Sequence, residues 1–171
     1  MEGYRRVCAE ALKLFGEAKE PYHAYITIRA AVLAPDAVPD SALLVQLTKK
    51  AMKETRTADR LFTLGMAHYR AAQFNDALAR LEEAVRVDPA WTHRTCVTGL
   101  ALALVHHRLG HEEEAREWLE RTVEQLERSQ HAKWPAVHFP THPADWVTCV
   151  ILRKEAEALI GKDSAKKEFS K

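Results

Sequence analysis

The sequence predicts an all-α chain folded as a stack of antiparallel helical hairpins. Apolar residues recur with helical periodicity through almost the whole length. The stretches between turns are rich in Ala, Leu, Glu, Arg and Lys, which favour helix, and most of the seven prolines fall in a few clusters. No segment sustains the period-two alternation of a strand. With 171 residues, 47% hydrophobic and 29% charged, the chain is long enough for one packed core and too apolar for disorder.

A first helix is expected from about Glu2 to Gly16. Tyr4, Val7, Cys8, Ala11, Leu12, Leu14 and Phe15 form its broad apolar side, and Gly16 ends it. A second begins near Pro21, suited to a first helical turn, and carries Tyr25, Ile26, Ile28, Ala31, Val32 and Leu33. Pro35 and Pro39 bracket a loop, after which Asp40 or Ser41 caps a third helix to about Glu54. The fourth covers roughly Thr57 to Ala71, and the fifth Asn75 to Val87, where Asp88-Pro89 ends it. The sixth runs from about Trp91 to Leu109 with Gly110 as its stop, and the seventh from His111 to about Arg128. Three prolines between Pro135 and Pro143 forbid regular helix in the segment 131–143. A last helix is expected from Ala144 to Ile160, stopped by Gly161 and followed by a frayed polar tail, 162–171.

The span Leu61 to Pro89 carries a pattern: Leu61, Leu64-Gly65, His68, then Ala77, Leu81, Ala84 and Pro89. Gly65 and Ala77 are small where two antiparallel helices must approach, Ala84 admits the next hairpin, and Pro89 ends the second helix. A second copy follows, with Leu102-Ala103 and His106, the turn at Gly110, then Ala115 and Leu119, while Thr122 replaces the second small alanine. From Ala77 to Ala115 the offset is 115 − 77 = 38 residues. Upstream, Ala51 and Leu47 mark a degenerate first copy. This pattern resembles the tetratricopeptide repeat, although His68 stands where tyrosine is usual and Leu81 where an aromatic is usual. The resemblance implies a right-handed superhelical stack of about three hairpins (21–54, 57–88 and 91–129), with an extra N-terminal helix and a C-terminal capping helix at 144–160, all in one domain, 1–161. Together with Val32 to Val38 and Leu152 to Leu159, the run Leu64 to Ala71 is similar to the repeat tails of large bacterial serine/threonine kinases and WD-repeat proteins. Nothing in the chain resembles a kinase glycine loop or catalytic loop, so kinase activity is not implied.

Net charge is +1, with no basic surplus to neutralise phosphates, so no nucleic-acid partner is expected. The longest uncharged runs, Thr95 to Val105 among them, are too short to span a bilayer, and the N-terminus lacks the apolar run of a secretory signal. Cys8, Cys96 and Cys149 form no pair motif, which reads as reduced thiols in a cytoplasmic chain.

Nine histidines raise a metal-binding or enzymatic protein as one alternative, centred on the loop 131–142 with His131, His138 and His142. His107 and His111 are four apart, but Gly110 between them removes their shared helical face. No zinc-ligand spacing occurs. No cysteine has a nucleophile signature around it, and Glu112-Glu113-Glu114 fits a helix N-terminus. No cofactor, metal or catalytic residue is expected. Trp134, Phe139 and Trp146 either form a peptide-binding patch or cover the last hairpin.

The functional expectation is therefore a non-catalytic scaffold that binds a protein or peptide. In the implied architecture the first helix of each hairpin lines a concave groove. Phe62, Met66, Tyr69 and Arg70 share one side of the fourth helix, Leu100, Leu104, His107 and Arg108 one side of the sixth, and Tyr25 and Arg29 the second. This groove would be apolar, edged by arginine, and suited to an amphipathic helix or an extended apolar segment with some acidic character. A purely structural role, with homo-oligomer formation, is the other alternative.

Overall fold

The structure, a computed structural model, describes residues 2–16, 21–52, 56–89, 93–131 and 143–168. These residues form eight helices and no strand: α1 (Glu2–Phe15), α2 (Pro21–Ala31), α3 (Ser41–Ala51), α4 (Ala58–Arg70), α5 (Phe74–Val87), α6 (His93–Arg108), α7 (Glu112–His131) and α8 (Pro143–Glu168). None is long and apolar enough to cross a membrane. The helices pack as two compact units, Met1–Val87 and Asp88–Lys171, and each is described by itself.

In the first unit each helix packs on the next, with α4 and α5 forming the tightest pair. Asp40 caps α3, its carboxylate accepting from the Ala42 amide at 2.9 Å, and Thr57 caps α4. The loop before α3 is tied down by Ala34, Ala37 and Val38, which are buried. Helix α4 packs on α3, α5 and α2, and every residue from Leu61 to Tyr69 is buried. The close approach of α4 and α5 depends on Gly65: a methyl there would sit 2.7 Å from Leu81, itself fully buried, and 3.4 Å from the Ala77 carbonyl.

In the second unit α6 is central, packing on both α7 and α8, while α7 and α8 touch each other more lightly. Every residue from Thr95 to Val105 is buried. Helix α8 covers α6 with Cys149, Leu152, Ala156 and Ile160, whereas Val147 stays exposed. Read from the sequence, Trp146, Val147, Val150, Ile151, Leu159 and Ile160 form the apolar side of this last helix; the buried face is rotated from that set. Arg153 anchors the side of α8 towards α7, bonding Glu157 on its own helix at 2.7 Å and Glu127 on α7 at 3.1 Å. These two carboxylates, Glu157 first, hold the Arg153 guanidinium in its charged form even more firmly than usual. Helix α8 does not stop at Gly161 but continues to Glu168. An isolated glycine costs a helix about 1 kcal/mol relative to alanine and ends it only where the chain turns left-handed. Gly161 shows no such φ.

The two hairpins α4–α5 and α6–α7 close with the same turn. In the first, Gln73 N–H donates to the His68 carbonyl at 2.9 Å and Ala72 N–H to that of Tyr69 at 3.1 Å; in the second, His111 N–H donates to His106 at 3.0 Å and Gly110 N–H to His107 at 3.1 Å. The residue at the left-handed position is Ala72 (φ 57) in one and Gly110 (φ 78) in the other. This pattern satisfies carbonyls that the helix itself leaves open. The offset is again 110 − 72 = 38 residues.

Packing inside the repeat is compensated pairwise. Leu61 and Ala84 of the first hairpin correspond by this offset to Gly99 and Thr122 of the second. A methyl on Gly99 would collide with the Thr122 side chain, so the larger Thr122 and the smaller Gly99 go together. The Thr122 hydroxyl is buried with no hydrogen-bond partner among the described residues. Gly99→Ala alone should destabilise the chain by about 1–3 kcal/mol through overpacking, and adding Thr122→Ala should restore most of that loss. Urea unfolding of both singles and the double variant measures this coupling; strictly additive effects would disprove it.

Candidate functional site

The groove residues expected from the sequence fall in both units. Tyr25, Arg29, Phe62, Met66, Tyr69 and Arg70 belong to the first, and Leu100, Leu104, His107 and Arg108 to the second. Their apolar members are buried: Phe62 is 2% exposed, Met66 0%, Tyr69 5%, Tyr25 7%, and Leu100 and Leu104 0%. This corrects their expected place on an open surface. Helices α4 and α6 are the middle helices of their packs, so the side assigned to a groove is covered by a neighbouring helix. A signal for this was present, since Leu61 to Ala67 and Thr95 to Val105 carry no charge and a helix apolar all round is buried.

The polar members behave differently. Arg70 is half-buried, with Nε donating to the Val32 carbonyl at 2.9 Å and an NH2 group to that of Leu33 at 2.7 Å. Its guanidinium lies 5.1 Å from the centre of the Tyr69 ring. It thus closes the C-terminal end of α2 instead of edging a binding surface. Arg60, at the other end of α4, does the same for α3, donating to the Ala51 carbonyl at 2.7 Å while lying 5.5 Å over the Tyr25 ring. Arg29 and His107 are half-buried and Arg108 is exposed.

Accessible apolar surface lies elsewhere. Eight large hydrophobic side chains are exposed among the described residues, and five of them (Val7, Leu14, Phe15, Tyr22 and Ile26) are on α1 and α2. Only Cys8 and Leu12 of α1 are buried within its range, because its apolar residues span more of the helix than α2, the one described helix it packs on, covers. Tyr4 donates its hydroxyl to the Ala30 carbonyl, which fixes α1 and α2 as antiparallel. Val7 and Leu14, seven residues apart with Ala11 between, repeat as a coiled-coil seam does. Exposed Arg6 and Lys13, with Glu10 between them, run along one edge.

Clefts occur in both units. One of about 480 Å³ lies between α1 and the loop before α3, lined by Arg5, Arg6, Asp36 and Val38, with Arg5 paired to Asp36 at 3.3 Å. Another of about 320 Å³ lies between α7 and α8, lined by Leu126, Trp146, Cys149 and Val150.

No group of three or more His, Cys, Asp or Glu side chains suited to a metal ion occurs among the described residues. The histidine-rich and aromatic loop expected at 131–142 lies, from 132 on, outside them. All three thiols are free and buried. Burial pushes Cys96 up to about 11 and Cys149 up to about 12, the latter also through the neighbouring Cys96 and Asp145. Burial likewise raises Cys8 and the Tyr25 hydroxyl, and drives the Tyr4 hydroxyl far above its ordinary range. A thiol held protonated is a poor nucleophile.

No family model, curated protein or solved structure matches this chain. What fold and site define is an all-α chain with a duplicated hairpin and an exposed apolar seam on its first two helices.

Arg70→Ala should cost about 2 kcal/mol, because charged hydrogen bonds to two carbonyls are lost, while Arg70→Lys should recover part of it; urea unfolding reads both. For the thiols, the folded protein holds protons that the unfolded chain releases above about pH 9, the ordinary thiol value. More protons are then bound when folded, so stability falls as pH rises. The melting temperature should therefore drop between pH 9 and 11, less steeply in a Cys96→Ala, Cys149→Ala variant. An equal slope in both proteins would contradict this.

Proposed function

We propose that the chain is a non-catalytic helical-repeat scaffold of tetratricopeptide type whose α1–α2 face binds an amphipathic helix of acidic character in a partner protein. The observation that carries this reading is the seam of Val7, Leu14, Phe15, Tyr22 and Ile26, exposed on adjoining helices. Large apolar side chains left exposed on two helices that pack together suit an interaction site. The repeat reading is supported by the duplicated turn, the 38-residue offset and the small residues where the helices cross. Hairpins of this type, stacked in register, would form the right-handed superhelix implied by the repeat pattern.

The occupant follows from the seam's chemistry. Side chains spaced by a heptad accept the apolar stripe of another helix. Arg6 and Lys13 outnumber Glu10 along the edge, which favours carboxylates on the incoming helix. The buried groove residues of the first unit, Tyr25, Phe62, Met66 and Tyr69, then belong to the frame that carries this face, and are not its contacts.

A synthetic amphipathic peptide with leucine at heptad core positions and glutamate on its flanks is the probe. It should bind the full chain saturably, and Leu14→Glu or Val7→Glu should abolish binding without lowering the melting temperature, since both side chains are already in water. A scrambled peptide of the same composition should not bind. Binding that survives Leu14→Glu would refute the assignment. A wild-type dimer in sedimentation that becomes a monomer in Leu14→Glu would replace it with self-association.

A further inference from the structure

Where the first hairpin turn joins α4 to α5, His68 Nδ1 meets the Gln73 side-chain oxygen at 2.6 Å. At the equivalent place between α6 and α7, both positions are histidine. His106 Nδ1 faces His111 Nδ1 at 3.2 Å, with ring centres 5.4 Å apart and planes inclined by 47°. We propose that His106 and His111 form a two-imidazole chelate for a divalent d-block cation of the zinc, copper or nickel class.

Three observations carry this. The first is the bite. Two nitrogens bound to one zinc ion at about 2.0–2.1 Å and a tetrahedral angle stand about 3.3 Å apart, close to the observed separation. Both rings turn the same nitrogen, Nδ1, towards the shared point. In the metal-free protein one ring must donate a proton to the other, and the cation takes the place of that proton.

The second is rigidity. The two residues are joined through the backbone by the His111 N–H bond to the His106 carbonyl at 3.0 Å, and Gly110 holds the left-handed position between them at φ 78. The ligands therefore lie on the first and last residues of one closed turn, and little ordering remains to be done on binding. His107 and His111, four apart in sequence, lose a shared helical face at Gly110, and the same turn brings His106 across to His111.

The third is access and field. His111 is exposed and His106 half-buried, and the exposed Glu112, Glu113 and Glu114 follow directly in α7. Carboxylates so placed raise the local concentration of cations. The remaining coordination positions fall to water or to donors from a partner, which makes this an open and exchangeable site.

The repeat supplies its own control. His111→Gln recreates the His–Gln pair that the first hairpin already carries, so the turn should fold as before. Zinc chloride is titrated calorimetrically into the untagged full chain, and copper(II) chloride is added separately for electron paramagnetic resonance. We expect one ion per chain, with a copper signal split by two nitrogens. The affinity should fall by more than the about 10- to 100-fold that loss of a supporting group costs a metal site in His106→Gln and in His111→Gln, and should not change in His107→Gln. Absence of saturable binding by the wild type would overturn the proposal. So would binding that persists in His111→Gln, because the ligands would then be other histidines. A His111→Gln variant with an unchanged melting temperature and no zinc-dependent rise in it, beside a wild type that shows one, would confirm it.

Discussion

Each helix ends in carbonyls that its own ladder cannot reach, and in a chain made only of helices the way those groups are met fixes where the next helix goes. Two solutions alternate here. At the ends of α2 and α3 the carbonyls accept from arginines carried by α4: Arg70 serves Val32 and Leu33, and Arg60 serves Ala51. At the ends of α4 and α6 the chain turns left-handed and satisfies them with its own amides. The first solution ties α4 to helices earlier in the chain, and the second folds the following helix back alongside it. The burial of α4 depends on both, because its two ends are held by charged hydrogen bonds while its middle is closed in by α5.

Much of this architecture was legible in the sequence. All eight helices were anticipated, with ends close to those observed wherever a cap or a proline marks them, as at Asp40, Thr57 and Gly110. The 38-residue spacing was legible too, because it rests on small residues whose size has a packing cause. Gly161 misled, since glycine permits a left-handed stop without enforcing one. The role of Gly99 was not legible, because its size makes sense only beside Thr122, which follows a full turn and most of a helix later.

The candidate surface was harder to read. Helical periodicity says which residues share a side but not what lies against it. Phe62, Met66 and Tyr69 do share one side of α4, yet other helices cover it. Val7 and Leu14 share one side of α1 with the same periodicity, and nothing among the described residues of the first unit buries them. The difference lies in how many neighbours each helix has: α4 packs on three, whereas α1 packs on α2 alone. Position in the order of packing decided exposure, and charge-free runs were the better guide to it.

The shared hairpin turn has a consequence for how such a chain can change. Its geometry is written in backbone amides and carbonyls, so the side chains at its two ends take little part in holding it. His68 with Gln73, and His106 with His111, occupy the same slot with different chemistry while the helices on either side keep their course. The slot is therefore a place where a chain with a duplicated hairpin can acquire a new property by point substitution with its helices left in place. A duplicated hairpin offers it twice, one copy free to vary while the other is kept.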